Sequence, residues 1–165
     1  MQRHGIIIFS LCSNGKAFNV EYSIGGAMRF FTVIVALSLA ACATSPVSIH
    51  QASLVPSSRM LAPQLVSQVQ AQPTGSLIVK RDSGLMGSAC TIRVFVDAVP
   101  VADLAPSEKV ELFVPSGEHI VGVTSNGICG GGVAEAAVVI FPERQKILRI
   151  ASGQSGDIYL QPTAF

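Results

Sequence analysis

The chain has 165 residues, 49% of them hydrophobic, and its 11 basic and 10 acidic side chains leave a net charge of +1. This length suggests one domain. The charges are scattered, so the basic stripe that neutralises nucleic-acid phosphates is missing, and no nucleic-acid partner is expected. The apolar runs Ile6–Leu11 and Phe30–Ala41 fall short of the ~18–20 residues of a membrane-spanning helix. The basic residues Arg144, Lys146 and Arg149 are interpreted as a solvated strand edge.

Residues 28–41 have the three parts of a secretory signal peptide. Arg29 supplies the positive charge, Phe30–Ser38 is the apolar segment, and small residues follow. Because such a signal begins near its positive residue, we interpret residues 1–27 as a mis-assigned upstream extension and Met28 as the initiator. The alternative is a longer precursor whose whole leader is removed. In both cases residues 1–41 are expected to be absent from the mature protein.

The signal ends in Leu39-Ala40-Ala41-Cys42, which looks like a lipobox, the recognition site of the lipoprotein signal peptidase. Two small alanines fit a narrow protease cleft, and the thiol of Cys42 would accept a diacylglycerol. A second lipid chain makes such an anchor stable. In lipoproteins of this type an aspartate after the cysteine favours the inner membrane, so Ala43 implies the periplasmic face of the outer membrane. The alternative is an ordinary secretory signal that happens to precede a cysteine.

Residues 42–75 have the composition of a linker after the lipidated cysteine. Pro46, Pro56, Pro63 and Pro73 interrupt a stretch rich in Ser, Gln and Ala, which buries too little apolar surface to offset its ordering entropy. We therefore predict a flexible, disordered tether. The alternative is one short helix or docking strand within Arg59–Val69.

From residue 76 to residue 165 the pattern changes to short β-type runs separated by turn residues. About seven or eight strands with turns every 8–12 residues are typical of an antiparallel sandwich or barrel. The expected fold is therefore all-β, a small antiparallel β-sandwich. The predicted strands are Ser76–Arg81, Thr91–Asp97, Val101–Leu104, Val110–Val114, Glu118–Thr124, Val133–Phe141, Lys146–Ala151 and Asp157–Gln161.

Two cysteines, Cys90 and Cys129, remain once the leader is removed and Cys42 is lipidated. The compartment beyond the inner membrane is oxidising, so we predict a disulfide between them. The alternative is a metal site that adds His119, but two cysteines without CxxC spacing make a poor zinc motif. No metal is predicted. The glycine-rich loop around Cys129 could also bind an anion through its backbone N–H groups, although a hairpin beside the disulfide is favoured.

His119 is the candidate for acid–base chemistry, because it follows Glu118 after a Pro-Ser-Gly turn. No serine or cysteine near it belongs to a recognisable nucleophile motif. The favoured interpretation is a polar residue at the start of a strand, and a small periplasmic hydrolase is the alternative.

The run VFVDAVPVADL…EKVELFVPSGEHIVGV, over Arg93–Val123, resembles the hairpin repeat of PEGA-like domains. That repeat has V-x-V-D-G followed by P-x-G-x-H, and Ala98 stands where it has glycine, so the turn after Asp97 is expected to differ. With V-x-R-D at Val79–Asp82, the two cysteines and Q-P-T at Gln161–Thr163, the mature chain is similar to a family of small, mostly uncharacterised lipoproteins of Gram-negative bacteria. Some relatives are labelled 3-isopropylmalate dehydratase, an activity that needs a cysteine-ligated iron–sulfur cluster, which two cysteines cannot hold.

These patterns together predict a non-enzymatic envelope module without a cofactor other than the lipid on Cys42. Its expected partners are membrane lipid, through that anchor, and an envelope protein. Stacking platforms for sugars are scarce, because Trp is absent and Tyr159 is the one tyrosine of the mature part. A protein partner that adds a strand to an exposed sheet edge is therefore the favoured interpretation.

Overall fold

Nine β-strands and two short 3-10 helices form the part of the chain that the computed structural model describes, residues 44–66, 72–84, 87–127, 129, 132–153 and 155–164. The 3-10 helices span Ser57–Arg59 and Pro63–Val66. The strands are β1 Ser53–Leu54, β2 Thr74–Arg81, β3 Ile92–Val96, β4 Val99–Leu104, β5 Glu108–Pro115, β6 Gly117–Ser125, β7 Ala134–Ile140, β8 Gln145–Ser152 and β9 Ile158–Pro162.

The strands form two sheets, with the order β1-β5-β2-β8-β9 in one and β4-β3-β6-β7 in the other. In β3 and β5 alternate residues are buried, as expected for strands with one face on a core. The apolar faces meet in one core, whose fully buried members include Leu77, Val94, Leu112, Val121 and Leu148. The predicted all-β sandwich is confirmed, since each of the eight predicted segments forms a strand, and β1 is an addition.

The first sheet is mixed rather than purely antiparallel. β2 pairs with β8 in parallel, with Val79 opposite Leu148, and antiparallel with β5. β2 buries Leu77, Ile78 and Val79 in succession, so both of its faces are covered. The core covers Leu77 and Val79, and on the other face Lys80 donates to Val47 O of the N-terminal segment. The predicted antiparallel pairing is therefore wrong for the β2–β8 pair and for the short parallel β1–β5 pair.

The predicted flexible tether is wrong for residues 44–66, which pack on the sandwich. Val47, Ala52 and Ala62 are buried, and Ala62 belongs to the core. The compact unit accordingly includes residues 44–66, which precede the predicted boundary of 76. Pro56 precedes the first 3-10 helix and Pro63 begins the second. A proline at such a start loses no hydrogen bond, so these prolines are compatible with ordered structure.

The same N-terminal segment covers two sheet edges. β1 pairs with the edge of β5, and Val55 N–H donates to Lys109 O at 2.9 Å. Farther along, Leu61 and Ala62 donate their N–H groups to Val101 O of β4 at 2.9 and 3.2 Å. Unpaired edges offer backbone hydrogen-bond partners. Composition alone does not show that these partners exist, so docking was the alternative for residues 59–69 and not the favoured interpretation. The hydrogen bonds of Leu61 and Ala62 to β4 support that alternative.

The β3–β4 turn is tight although Ala98 stands where the PEGA-like repeat has glycine. Val96 pairs with Val99, so Asp97 and Ala98 form a two-residue hairpin loop. Their φ angles are 50° and 64°, and a type I′ turn requires positive φ at both positions. Ala98 therefore occupies a left-handed conformation that disfavours a side chain with Cβ.

Candidate functional site

The predicted lipidation site lies outside the described residues. This holds for Leu39, Ala40, Ala41 and Cys42 and for the whole leader, so the signal and the lipid anchor stay predictions. None of the helices in the described part of the chain has the length and hydropathy of a membrane span.

The predicted disulfide between Cys90 and Cys129 is present, with their Cα atoms 6.1 Å apart. It joins the loop before β3 to the glycine-rich loop after β6. A bridge across 39 residues stabilises the fold by about 4 kcal/mol in the chain-entropy model. Because both sulfur atoms are in the bridge, the alternative metal site with His119 is wrong. Within the described ranges no group of three His, Cys, Asp or Glu side chains is placed to hold a metal ion.

Three consecutive charged residues at the end of β2 are buried: Lys80, Arg81 and Asp82. Lys80 donates from Nζ to Val47 O. Burial lowers the pKa of Lys80, the charge of Asp82 raises it in part, and the charge of Arg149 lowers it further. The V-x-R-D pattern thus marks a buried polar cluster that holds the N-terminal segment on the first sheet.

Arg81 connects the loop before β3 to the end of β4 through backbone oxygens. Its Nη1 donates to Cys90 O at 2.7 Å and to Leu104 O at 2.9 Å, and its Nη2 donates to Gly87 O at 2.7 Å. Burial lowers the pKa of Arg81, and Glu108 offsets part of this effect. Its planar guanidinium can reach several oxygens at once, so Arg81 fixes the loop that carries Cys90.

Asp82 completes the cluster by accepting hydrogen bonds from two directions. Arg149 donates from Nε and Nη2 to Asp82 Oδ2 at 2.7 and 2.6 Å, and Val47 N–H donates to Asp82 Oδ1 at 3.4 Å. Arg149 therefore neutralises a buried carboxylate, and its assignment to a solvated basic edge is wrong. The sequence offered one signal for this cluster, a run of charged residues at the end of an apolar strand.

His119 lies near the start of β6 with both ring nitrogens engaged. Nδ1 is 2.6 Å from Asp97 Oδ2, and Nε2 is 2.9 Å from Pro115 O. A carboxylate and a carbonyl oxygen are both acceptors, so both contacts are hydrogen bonds only when each nitrogen carries a proton. A general base needs one nitrogen directed at the proton that it removes. This arrangement instead joins the β3–β4 turn to the start of β6.

Asp97 is the acceptor that organises this junction. Its Oδ1 accepts the N–H of Ile120 at 3.0 Å, while Oδ2 faces His119. Desolvation raises the pKa of Asp97, but the hydrogen bonds from His119 and Ile120 and the charge of His119 outweigh it, so the pKa lies below 3.8. The sequence identified His119 but not its carboxylate partner, because 22 residues separate them.

Strand β7 forms a long sheet edge that is less shielded from strand addition than the other edges of the described part. β7 pairs with β6 and lies at the end of the second sheet. Its seven residues, AEAAVVI, include a single charged side chain, Glu135, and no proline. Exposed apolar side chains lie on it and beside it: Ile120, Val139 and Phe141 are 45%, 44% and 55% exposed.

The hydrogen-bond pattern shows which backbone groups of β7 face outward. Asp97 N–H donates to Ile120 O, so the backbone N–H and C=O groups of Ile120 point toward β3. In an antiparallel strand these groups alternate in direction, so those of His119 and Val121 point toward β7. These two residues oppose Val138 and Ala136. The N–H and C=O groups of Glu135, Ala137 and Val139 therefore point away from β6, toward the free edge.

The other three edges are shielded in ways that limit strand addition. β1 is two residues long. β4 contains Pro100, has an irregular register opposite Phe95, and is covered by Leu61 and Ala62. β9 has five residues and ends at Pro162. Prolines, bulges, short strands and covering loops are the usual protection of sheet edges, so β7 is the least shielded edge of the described part.

No family model matches the chain, and no curated protein matches it either. The resemblance to PEGA-like repeats and to a lipoprotein family therefore stays a prediction.

Proposed function

We propose that the chain is a lipid-anchored, non-enzymatic binding module of the cell envelope, held on the periplasmic face of the outer membrane through Cys42. Its partner is a protein with an extended segment that adds as a strand to the free edge of β7. The lipobox pattern supports the anchor. The Cys90–Cys129 disulfide agrees with an oxidising compartment.

The observation that carries the binding role is the open β7 edge. Strand addition draws its affinity from main-chain hydrogen bonds and its specificity from alternate side chains. Glu135, Ala137 and Val139 direct their backbone N–H and C=O groups away from β6, and their side chains are exposed. These residues therefore offer both main-chain hydrogen bonds and side-chain contacts to an added strand. A mostly uncharged edge favours an apolar or neutral partner strand. The hydrolase alternative lacks such support, since both nitrogens of His119 face acceptors.

The test removes the N–H of Ala137, which points away from β6. Proline at an edge is tolerated where its missing N–H faces solvent, so Ala137→Pro should leave the β6–β7 pairing intact while blocking an added strand. Ala137→Thr is the matched control, because it keeps the N–H. A photo-reactive phenylalanine derivative in place of Phe141 reports the partner by crosslinking in cells.

The expected result is a discrete adduct in the parent and in Ala137→Thr, lost in Ala137→Pro, with the same urea midpoint for all three. Mass spectrometry of the adduct tells an envelope protein from a second copy of this chain. Equal crosslinking in all three variants, or none in any of them, would refute strand addition at β7.

A further inference from the structure

The ordered domain begins almost at the predicted anchor. Thr44 Oγ1 donates to Ser152 O at 3.0 Å, and Ser45 and Ser83 exchange backbone hydrogen bonds of 3.0 and 3.1 Å. Two Cα–Cα steps of about 3.8 Å separate Cys42 from Thr44. A lipid on Cys42 would therefore be attached within about 8 Å of a fixed point on the sandwich.

We infer that the sandwich stands end-on against the phospholipid headgroups, with the end that carries Thr44 facing the membrane. This inference rests on the proposed lipidation of Cys42. Strands β2 and β8 are parallel, and both end beside Thr44, at Arg81 and Ser152. The eight residues of β2 span about 26 Å at ~3.3 Å each, so the opposite end lies well beyond the headgroup layer.

We call this region the anchor end. It comprises the N-terminal residues and the loops that adjoin the same ends of the strands: residues 44–52, 82–84, 87–91, 105–107, 125–127, 132–133, 153 and 155–157. The short length of chain between Cys42 and Thr44 holds this end of the domain close to the lipid.

The chemistry of the anchor end fits a headgroup layer. Apart from Asp82, which is buried and bound to Arg149, the formally charged side chain in these described loops is Asp157, and serine, glycine and alanine predominate. Approach to a membrane therefore desolvates few fixed charges, whose burial without a partner is costly. The opposite end carries Asp97, Glu143 and Arg144 in its turns.

The orientation is testable by quenching in vesicles. Ser155 at the anchor end and Ser116 at the opposite end are both exposed, and each is replaced by cysteine and labelled with a fluorophore while the Cys90–Cys129 bridge stays closed. The mature lipidated protein is placed in phosphatidylethanolamine–phosphatidylglycerol vesicles with nitroxide-labelled headgroups. A matched control inserts a flexible Gly-Ser segment between Ala43 and Thr44.

Strong quenching at Ser155→Cys and little at Ser116→Cys is expected, with the difference lost in the insertion variant. Equal quenching at both sites in the protein without the insertion would overturn the orientation. An intact mass is measured on the same sample. A protein without acyl chains would refute the lipid anchor and the orientation with it, whereas a lipidated protein with equal quenching refutes the orientation alone.

Discussion

Arg81 should contribute more to stability than any surface charge of the domain, and replacing it tests the structural role assigned to the V-x-R-D pattern. Its guanidinium supplies hydrogen bonds to the carbonyl oxygens of Gly87, Cys90 and Leu104. In Arg81→Met the apolar stem is retained, while the three oxygens lose their charged donor.

Hydrogen bonds to charged groups contribute about 1.5–3 kcal/mol each, and their effects in one network are not additive. Removing a buried cation also removes its desolvation cost. We therefore expect Arg81→Met to lower the free energy of unfolding by about 3–5 kcal/mol, a large part of the ~5–15 kcal/mol typical of a domain. Arg81→Lys should lose about half as much, because an ammonium group cannot reach all three oxygens.

Urea denaturation followed by circular dichroism measures this effect, with the midpoint compared at constant m-value. The control is Lys109→Met, which removes the ion pair with the exposed carboxylate of Glu111 and should cost no more than about 1 kcal/mol. Arg81→Lys should also speed reduction of the disulfide by dithiothreitol, since Arg81 fixes the loop of Cys90. If Arg81→Met costs no more than Lys109→Met, the role assigned to Arg81 is wrong.

Two further predictions concern the β3–β4 turn. Ala98→Gly should stabilise the protein by about 0.5–1 kcal/mol, because glycine relieves the left-handed strain but loses more entropy on folding; an unchanged or lower thermal midpoint would contradict the strain. The lowered pKa of Asp97 stabilises the fold above pH 3.8. This contribution is lost as the pH falls through the pKa of Asp97 in the folded state. The effect should be small, since the carboxylate is half-exposed and screened. Urea midpoints from pH 6 to pH 2 should therefore fall more in the native protein than in Asp97→Asn, and parallel curves would argue against the Asp97–His119 interaction.

Alternating side chains were sufficient to predict the strands. The period of two in TIRVFVD and VELFV indicates which residues face a core, and turn residues at regular spacing mark the ends. The Cys90–Cys129 pair could also be predicted, because these are the two cysteines that follow the predicted leader and lipidation site. The sequence also predicted His119 as a polar residue at a strand start, in agreement with its position in β6.

What the sequence by itself determined is local: the strands, the turns and the candidate cysteines follow from patterns of neighbouring residues. Only the tertiary structure decided which strands became edges, because pairing depends on contacts between distant segments. In the resulting arrangement residues 44–66 dock against β5 and β4, and Lys80, Arg81 and Asp82 are buried. β7 remains an edge strand of the second sheet. A linker-like composition describes how little apolar surface a segment can bury on its own, but a segment that completes a neighbouring sheet is stabilised by hydrogen bonds to that sheet.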